Sequence, residues 1–168
     1  ERCIHYSDSD QALIVMNTML EGLRTVRKDA MLAYLAYGNT WEQTPVNIVP
    51  HEGIFLEMAG PIFHHTQEEK GLAIRDDKRF VEAFDRHLDY FGMENAQVLE
   101  YWLDASFYCG WKKPAHKLQI DEAYISDCVA FYKEKGIRSV TTFGVYLDRE
   151  YFAQHGLPPV IEYANLLK

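Results

Sequence analysis

Three acidic residues stand where an apolar core disfavours them. Glu57 interrupts the apolar run Gly53–Ala59, and Glu100 and Asp104 interrupt Gln97–Asp104. A buried, unpaired carboxylate costs several kcal/mol or shifts its pKa until it is neutral. In an extended strand, alternation sets Glu100, Trp102 and Asp104 on one face. A layer packed on helices disfavours two acids, so this face is expected to line the interior of a barrel. Glycoside hydrolysis usually needs two carboxylates about 5–5.5 Å apart for retention, or roughly 6.5–9.5 Å apart for inversion. Adjacent strands lie about 4.8 Å apart, so Glu57 and Glu100 on consecutive strands fit that requirement. Asp104 then stands nearer the mouth, as a hydroxyl ligand or a group that tunes its neighbours. A buried salt bridge or hydrogen-bond network is the structural alternative for each acid.

Aromatic residues gather at the same places. Tyr37, Trp41, Trp102, Trp111 and Tyr146 lie at or just past the ends of apolar runs, as do Tyr101 and Tyr108. Aromatic faces stack on the apolar faces of sugar rings and add a polar tip. Plain core packing is the competing reading, and for Tyr101 it is preferred, because Tyr101 alternates away from Glu100. For Trp41 and Trp111 the two readings stay open. Asp148 joins the binding set and also suits a helix N-cap. His64 and His65 lack the spacing of a metal pair. They read as a polar loop from which His64 could bond a ligand hydroxyl or carboxylate. No metal and no cofactor are expected, and no G-x-S-x-G elbow offers a serine nucleophile.

The elements that must position these groups alternate. Ser7–Asp10 suits a cap, and Ala12, Leu13, Met16, Met19, Leu20 and Leu23 recur at helical spacing. Short buried runs follow at Met31–Tyr37, Gly53–Ala59, Gln97–Asp104 and Ser139–Tyr146, each read as a strand. Phe80, Phe84, Leu88 and Phe91 mark one helix. Tyr124–Tyr132 mark another, stopped by Gly136. Asp148 caps a helix through Tyr151 and Phe152, and Pro158-Pro159 opens a last helical segment. The pattern predicts an α/β fold with parallel strands: four βα units, the C-terminal half of a TIM-type (β/α)8 barrel, since a full barrel takes about 250 residues. An open doubly wound sheet is the alternative, although the first strand lacks a glycine-rich phosphate loop.

Composition narrows the classes. The chain has 168 residues and a formal net charge of −8, with 48% hydrophobic residues, and reads as a single domain or a fragment. With little basic clustering beyond Lys112-Lys113, nucleic acid and anionic membranes are poor partners. No apolar run reaches the roughly 18 residues of a spanning helix. Three cysteines, Cys3, Cys109 and Cys128, give neither a disulfide framework nor a zinc motif, though a Cys3–Cys109 bridge is possible. Cys128 reads as core, and His51 and His87 as surface. The start at Glu1 without Met suggests an excised piece, so localisation stays open, with a secreted or periplasmic bacterial parent as one expectation.

Leu32–Tyr37, Gly53–Glu57, Leu99–Asp104 and Thr142–Asp148 together resemble a bacterial family known as domain of unknown function 4838, over nearly the whole chain and as its C-terminal portion. The resemblance implies a glycoside-hydrolase-like barrel, whose members often follow a small α/β domain like that of α-glucuronidases and hexosaminidases. In that register the four strands correspond to barrel strands five to eight. By analogy with retaining barrels, Glu100 would be the nucleophile or stabilising carboxylate, with the acid/base upstream of this chain.

The expectation is therefore a carbohydrate-active protein, a glycoside hydrolase using Glu100, Glu57 and Asp104. Tyr37, Trp41, His64, Trp102, Trp111, Tyr146 and Asp148 would bind substrate. The missing barrel half would come from the parent chain or a second copy. A non-catalytic carbohydrate-binding or scaffolding barrel, and an open α/β interaction domain, are the rivals.

Overall fold

The structure, a computed structural model, describes residues 5–61 and 72–168. Helix α1 (Asp8–Val26) precedes strand β1 (Leu32–Ala36) and strand β2 (Ile54–Ala59). Helix α2 (Lys78–Phe91), strand β3 (Gln97–Glu100), helix α3 (Glu122–Glu134) and strand β4 (Ser139–Thr142) follow. Helices α4 (Arg149–His155) and α5 (Val160–Leu166) end the described chain. The fold is α/β, a four-stranded parallel sheet in the order β1-β2-β3-β4. Its contacts divide into two compact units. The first comprises the chain to Ala59 with Arg79–Val98 and Ile137–Ser139; the second comprises Gly60–Lys78, Leu99–Gly136 and Val140–Lys168.

In the first unit, Ser7 and Asp10 form a capping box that starts α1. The buried polar residues of α1 then reach out of the helix. Asp10 accepts from the backbone N–H of Val46 (2.8 Å) and Asn47 (2.8 Å), and from the Asn47 amide (2.9 Å). Burial would raise the Asp10 pKa, but these donors outweigh it and hold the carboxyl well below its ordinary range. Asn17 grips Val49 and His51 in the same way, each at 2.9 Å. These bonds explain a departure from the expected alternation. The β1–β2 crossover carries no α-helix, only a 3-10 turn at Gly38–Thr40. Pro45 and Pro50 withhold helical donors, and side chains of α1 satisfy the backbone that a helix would have satisfied itself.

The β1–β2 register pairs Tyr34 with Leu56, Leu35 with Glu57 and Ala36 with Met58. Tyr34, Leu56 and Met58 are buried, and Tyr34 bonds Ser9 of α1 and stacks on Phe91 of α2 at 4.7 Å. This is the helix-covered face, and Leu35 and Glu57 lie on the other. Helix α2 buries Phe80, Ala83, Phe84, His87 and Leu88, an i, i+3, i+4, i+7, i+8 stripe.

In the second unit, α3 buries Ile125, Cys128, Val129, Phe131 and Tyr132. A further core of Leu103, Ala105, Ala115, Leu118 and Tyr151 supports the segments that follow β3 and β4. Both strands stop earlier than their apolar runs suggest, β3 at Glu100 and β4 at Thr142. The run after Glu100 stays buried through Ser106 but turns: Asp104 N–H donates to Tyr101 O at 3.0 Å.

Candidate functional site

The segment after β3 is folded by its own polar groups. Asp104 Oδ1 accepts from the Ser106 N–H at 2.8 Å and from the Ser106 hydroxyl, an Asx turn with both residues buried. A 3-10 turn at Phe107–Cys109 leads to Gly110 and Trp111, at φ 59° and 61°. Trp111 N–H donates to Ser106 O at 3.0 Å, which fixes this left-handed step. The Lys113-Pro114 bond that follows is cis. After β4, Tyr146 also has a positive φ of 60°. A bulky residue held there costs about 1–3 kcal/mol, and such residues cluster at functional sites.

These two strained aromatics meet. Tyr146 OH donates to the Trp111 carbonyl at 3.1 Å. Lys113 sits with its ammonium 5.3 Å from the centre of the Tyr146 ring and forms an ion pair with Asp148. Asp148 in turn caps α4, accepting from Glu150 N–H at 3.0 Å and Tyr151 N–H at 3.2 Å. Lys113 is the main cause that lowers the Asp148 pKa, and Asp148 is the main cause that raises that of Lys113. Trp111 is 60% exposed and receives an edge contact from Phe107 at 5.1 Å. Behind it Phe107, Tyr101 and Phe143 continue the string at 5.6 and 5.4 Å. Three predicted binding residues, Trp111, Tyr146 and Asp148, thus share one cluster past the C-terminal ends of β3 and β4. It presents an exposed ring and a charged pair on a packed aromatic base.

Glu100 is elsewhere. Strand alternation puts it on the face of Val98, and there it accepts a hydrogen bond from Tyr132 OH of α3. It is fully buried. The expectation of a barrel-interior position gives way to a helix-layer one, because the tyrosine hydroxyl supplies the polar partner that such a layer otherwise lacks. Gly60 completes the niche, since a Cβ there would overlap the Glu100 carboxylate. Burial first, and then the Glu100 charge, push the Tyr132 hydroxyl and the Cys128 thiol above their ordinary pKa values. Asp104 does not share a strand face with Glu100, because β3 has already ended.

The first unit holds three more predicted residues, Tyr37, Trp41 and Glu57. Glu57 is half-buried and accepts from the Gln97 amide at 2.6 Å. Gln97 Oε1 lies 3.4 Å from the Ser139 hydroxyl, which donates to it. Tyr37 is exposed. Trp41 donates its indole N–H to Ala59 O at 3.1 Å, packs on Phe80 at 5.9 Å and lies under the Arg79 guanidinium. Trp102, in the second unit, is 2% exposed and meets Tyr163 edge-on at 6.0 Å. His64 lies outside the described residues, and so does Cys3 with the bridge considered for it. Cys128 is buried as expected.

His87 is a correction. It is fully buried rather than on the surface, with Nε2 3.0 Å from Trp41 O. Burial, assisted by Arg86, lowers its pKa to about 4. Its place in the Phe80–Phe84–Phe91 stripe was the available signal. Tyr132, Gly60 and Lys113 also take part, without having been expected among the site residues. Among the described residues no group of three or more His, Cys, Asp or Glu side chains could hold a metal ion. No helix among them is long and apolar enough to cross a membrane.

Comparison of the chain with protein-family models, curated proteins and solved structures finds no match.

Proposed function

We propose that this chain is a carbohydrate-active part of a glycoside-hydrolase-like (β/α)8 barrel, and that the loops after β3 and β4 hold the saccharide. The observation that carries this reading is Trp111. Its ring is 60% exposed, while its backbone is held in a left-handed conformation that a bulky residue adopts only at a cost. Folding gives no return for presenting an indole to water in this way, whereas stacking on a sugar face does. Sequential strand order supports the barrel part of the reading. With right-handed crossovers it keeps successive connections on one side of the sheet, whereas a doubly wound sheet reverses its order at a switch point. The other half of the barrel would come from the parent chain or a second copy.

The test is calorimetric titration of the whole chain with neutral and acidic oligosaccharides, repeated on Trp111→Gly. Binding by the wild type that weakens at least about tenfold in the variant, without loss of thermal stability, sustains the proposal. A wild type that binds none of the saccharides ends it.

One observation favours hydrolysis as well as binding. Glu57 lies on the sheet face opposite the buried Tyr34, held by Gln97, and that is the face a barrel closes around. In this reading Glu57 is the acid of this chain, and its partner is a carboxylate other than Glu100, which belongs to the helix layer. Glu57→Gln should abolish release of reducing ends and leave saccharide affinity unchanged. A wild type that binds and never turns over would leave the non-catalytic binding role.

A further inference from the structure

We infer that the outward face of α1 is a self-association surface, and that its partner is α1 of a second copy of this chain, packed antiparallel. The inference concerns the first unit and is independent of the saccharide reading. A helix laid on a sheet buries one face and is ordinarily polar on the other. Helix α1 buries Ser9, Asp10, Leu13, Asn17 and Leu20. At 3.6 residues per turn, Val15, Met19, Gly22 and Val26 fall on the opposite face. None of the four carries a polar side chain. Val15 and Met19 are half-exposed, Val26 is 92% exposed, and half-exposed Leu23 borders them. Their spacing of i, i+4, i+7 and i+11 is that of a coiled-coil seam, which is kept apolar where another helix meets it.

Two details of the seam point to a helix as the partner. Gly22 sits inside α1, where glycine costs stability relative to alanine. A Cβ there would meet nothing within 4 Å, so no contact inside the chain requires a glycine, whereas close approach of a second helix does. Thr18 and Thr25 flank the seam, and their hydroxyls already donate to Ile14 O at 2.8 Å and Gly22 O at 2.7 Å. Covering them leaves no donor unsatisfied.

Charge selects a second copy and its direction. The first turn of α1 is acidic, with Asp8 and Asp10, while its other end carries Arg24, Arg27 and Lys28 against Asp29. The two ends are about 27 Å apart, well beyond the screening length of about 8–10 Å, so each end pairs locally. Antiparallel copies bring the acidic end of each helix towards the basic end of the other, in line with their dipoles. A parallel pair would set like charges together. About a two-fold axis between Met19 and Gly22, Met19 of each copy faces Gly22 of the other, and Val15 faces Val26. The longest side chain of the seam then fills the space where a side chain is missing. The seam is short and falls below the about 800 Å² per partner of a standard interface, so the dimer is expected to exchange with monomer at working concentrations.

Sedimentation velocity of the whole chain over a wide concentration range tests this, and the expected result is a monomer–dimer equilibrium. Met19→Glu places two carboxylates in the seam. It should weaken the dimer at least about tenfold and leave the circular dichroism of the monomer unchanged. Gly22→Leu is the sharper variant. It adds apolar surface and helix propensity, so indiscriminate hydrophobic association would tighten. The close-packed pair requires the opposite, a loss of at least about tenfold, because the leucine takes the space that Met19 fills. A chain that stays monomeric throughout overturns the inference and leaves the outer face of α1 to a different polypeptide. A dimer indifferent to Met19→Glu, or one tightened by Gly22→Leu, overturns it as well, because its contact would lie elsewhere or lack this packing.

Discussion

Trp41 and Trp111 begin as equals. Each is a tryptophan in the segment that follows a parallel strand, β1 for Trp41 and β3 for Trp111, and the sequence offers the same two readings for both. The structure separates them. In the first unit, Trp41 has an ordinary right-handed backbone (φ −76°) and a bonded indole N–H; Phe80 packs on its ring, Arg79 covers it, and its carbonyl meets His87. In the second unit, Trp111 has a left-handed backbone and an exposed ring. Its main-chain groups are bonded, the N–H to Ser106 and the carbonyl to Tyr146. One residue has its side chain fixed by its surroundings. The other has its backbone fixed so that the side chain is left available. Position relative to a strand does not distinguish an exposed aromatic from a packed one; the part of the residue that the fold holds does.

That contrast is breakable, and the largest expected effect is at Trp41. Trp41→Ala removes a ring packed on Phe80 and an indole bond to the last residue of β2. It should destabilise the protein by about 3 kcal/mol, read by urea denaturation. A loss below about 1 kcal/mol would show that Trp41 is no more structural than Trp111.

The next effect belongs to the histidine bound to Trp41. His87 is buried with Nε2 bonded, and its Nδ1 has no hydrogen-bond partner among the described residues. A proton there adds a charge to the core. The folded pKa of about 4 lies below the ordinary 6.5, so the neutral form stabilises the fold fully above the unfolded pKa. That contribution is lost as the pH falls towards the folded value. Between about pH 7 and pH 5 the loss is about 2 kcal/mol. Denaturation midpoints measured across that range should fall in the wild type and stay flatter in His87→Gln, whose side chain carries no titrating group. Equal slopes would place the acid sensitivity elsewhere.

The same distinction explains what the sequence reveals and what it withholds. Local signals were legible. Ser7 with Asp10 marked the start of α1, Gly136 the end of α3 and Asp148 the cap of α4, because each depends on groups within one helical turn. The length of β3 was not. Tyr101–Ala105 is as buried as a strand, and the bonds from Asp104 N–H to Tyr101 O and from Ser106 N–H to Asp104 Oδ1 make it a turn. Nor was the layer of Glu100, which is decided by a tyrosine 32 residues further along the chain and by the absence of a side chain at Gly60. Asp148 and Trp111 were both legible as residue types suited to binding. Their convergence was not, since it depends on Tyr146 taking a backbone conformation that a tyrosine rarely adopts.

The smallest stability effect is the sharpest test, because its sign is opposite. Glycine occupies φ near +60° without the penalty that a tryptophan incurs there. It is also more flexible in the unfolded chain, which offsets part of the gain. Because the Trp111 ring is mostly exposed, little packing is lost with it. Trp111→Gly should therefore leave stability unchanged or raise it by up to about 1 kcal/mol, even as saccharide affinity falls. A residue kept at a cost to the fold is the expected mark of a binding group. If Trp111→Gly instead destabilises the protein by as much as Trp41→Ala does, the indole is packing after all, and the difference between the two tryptophans collapses.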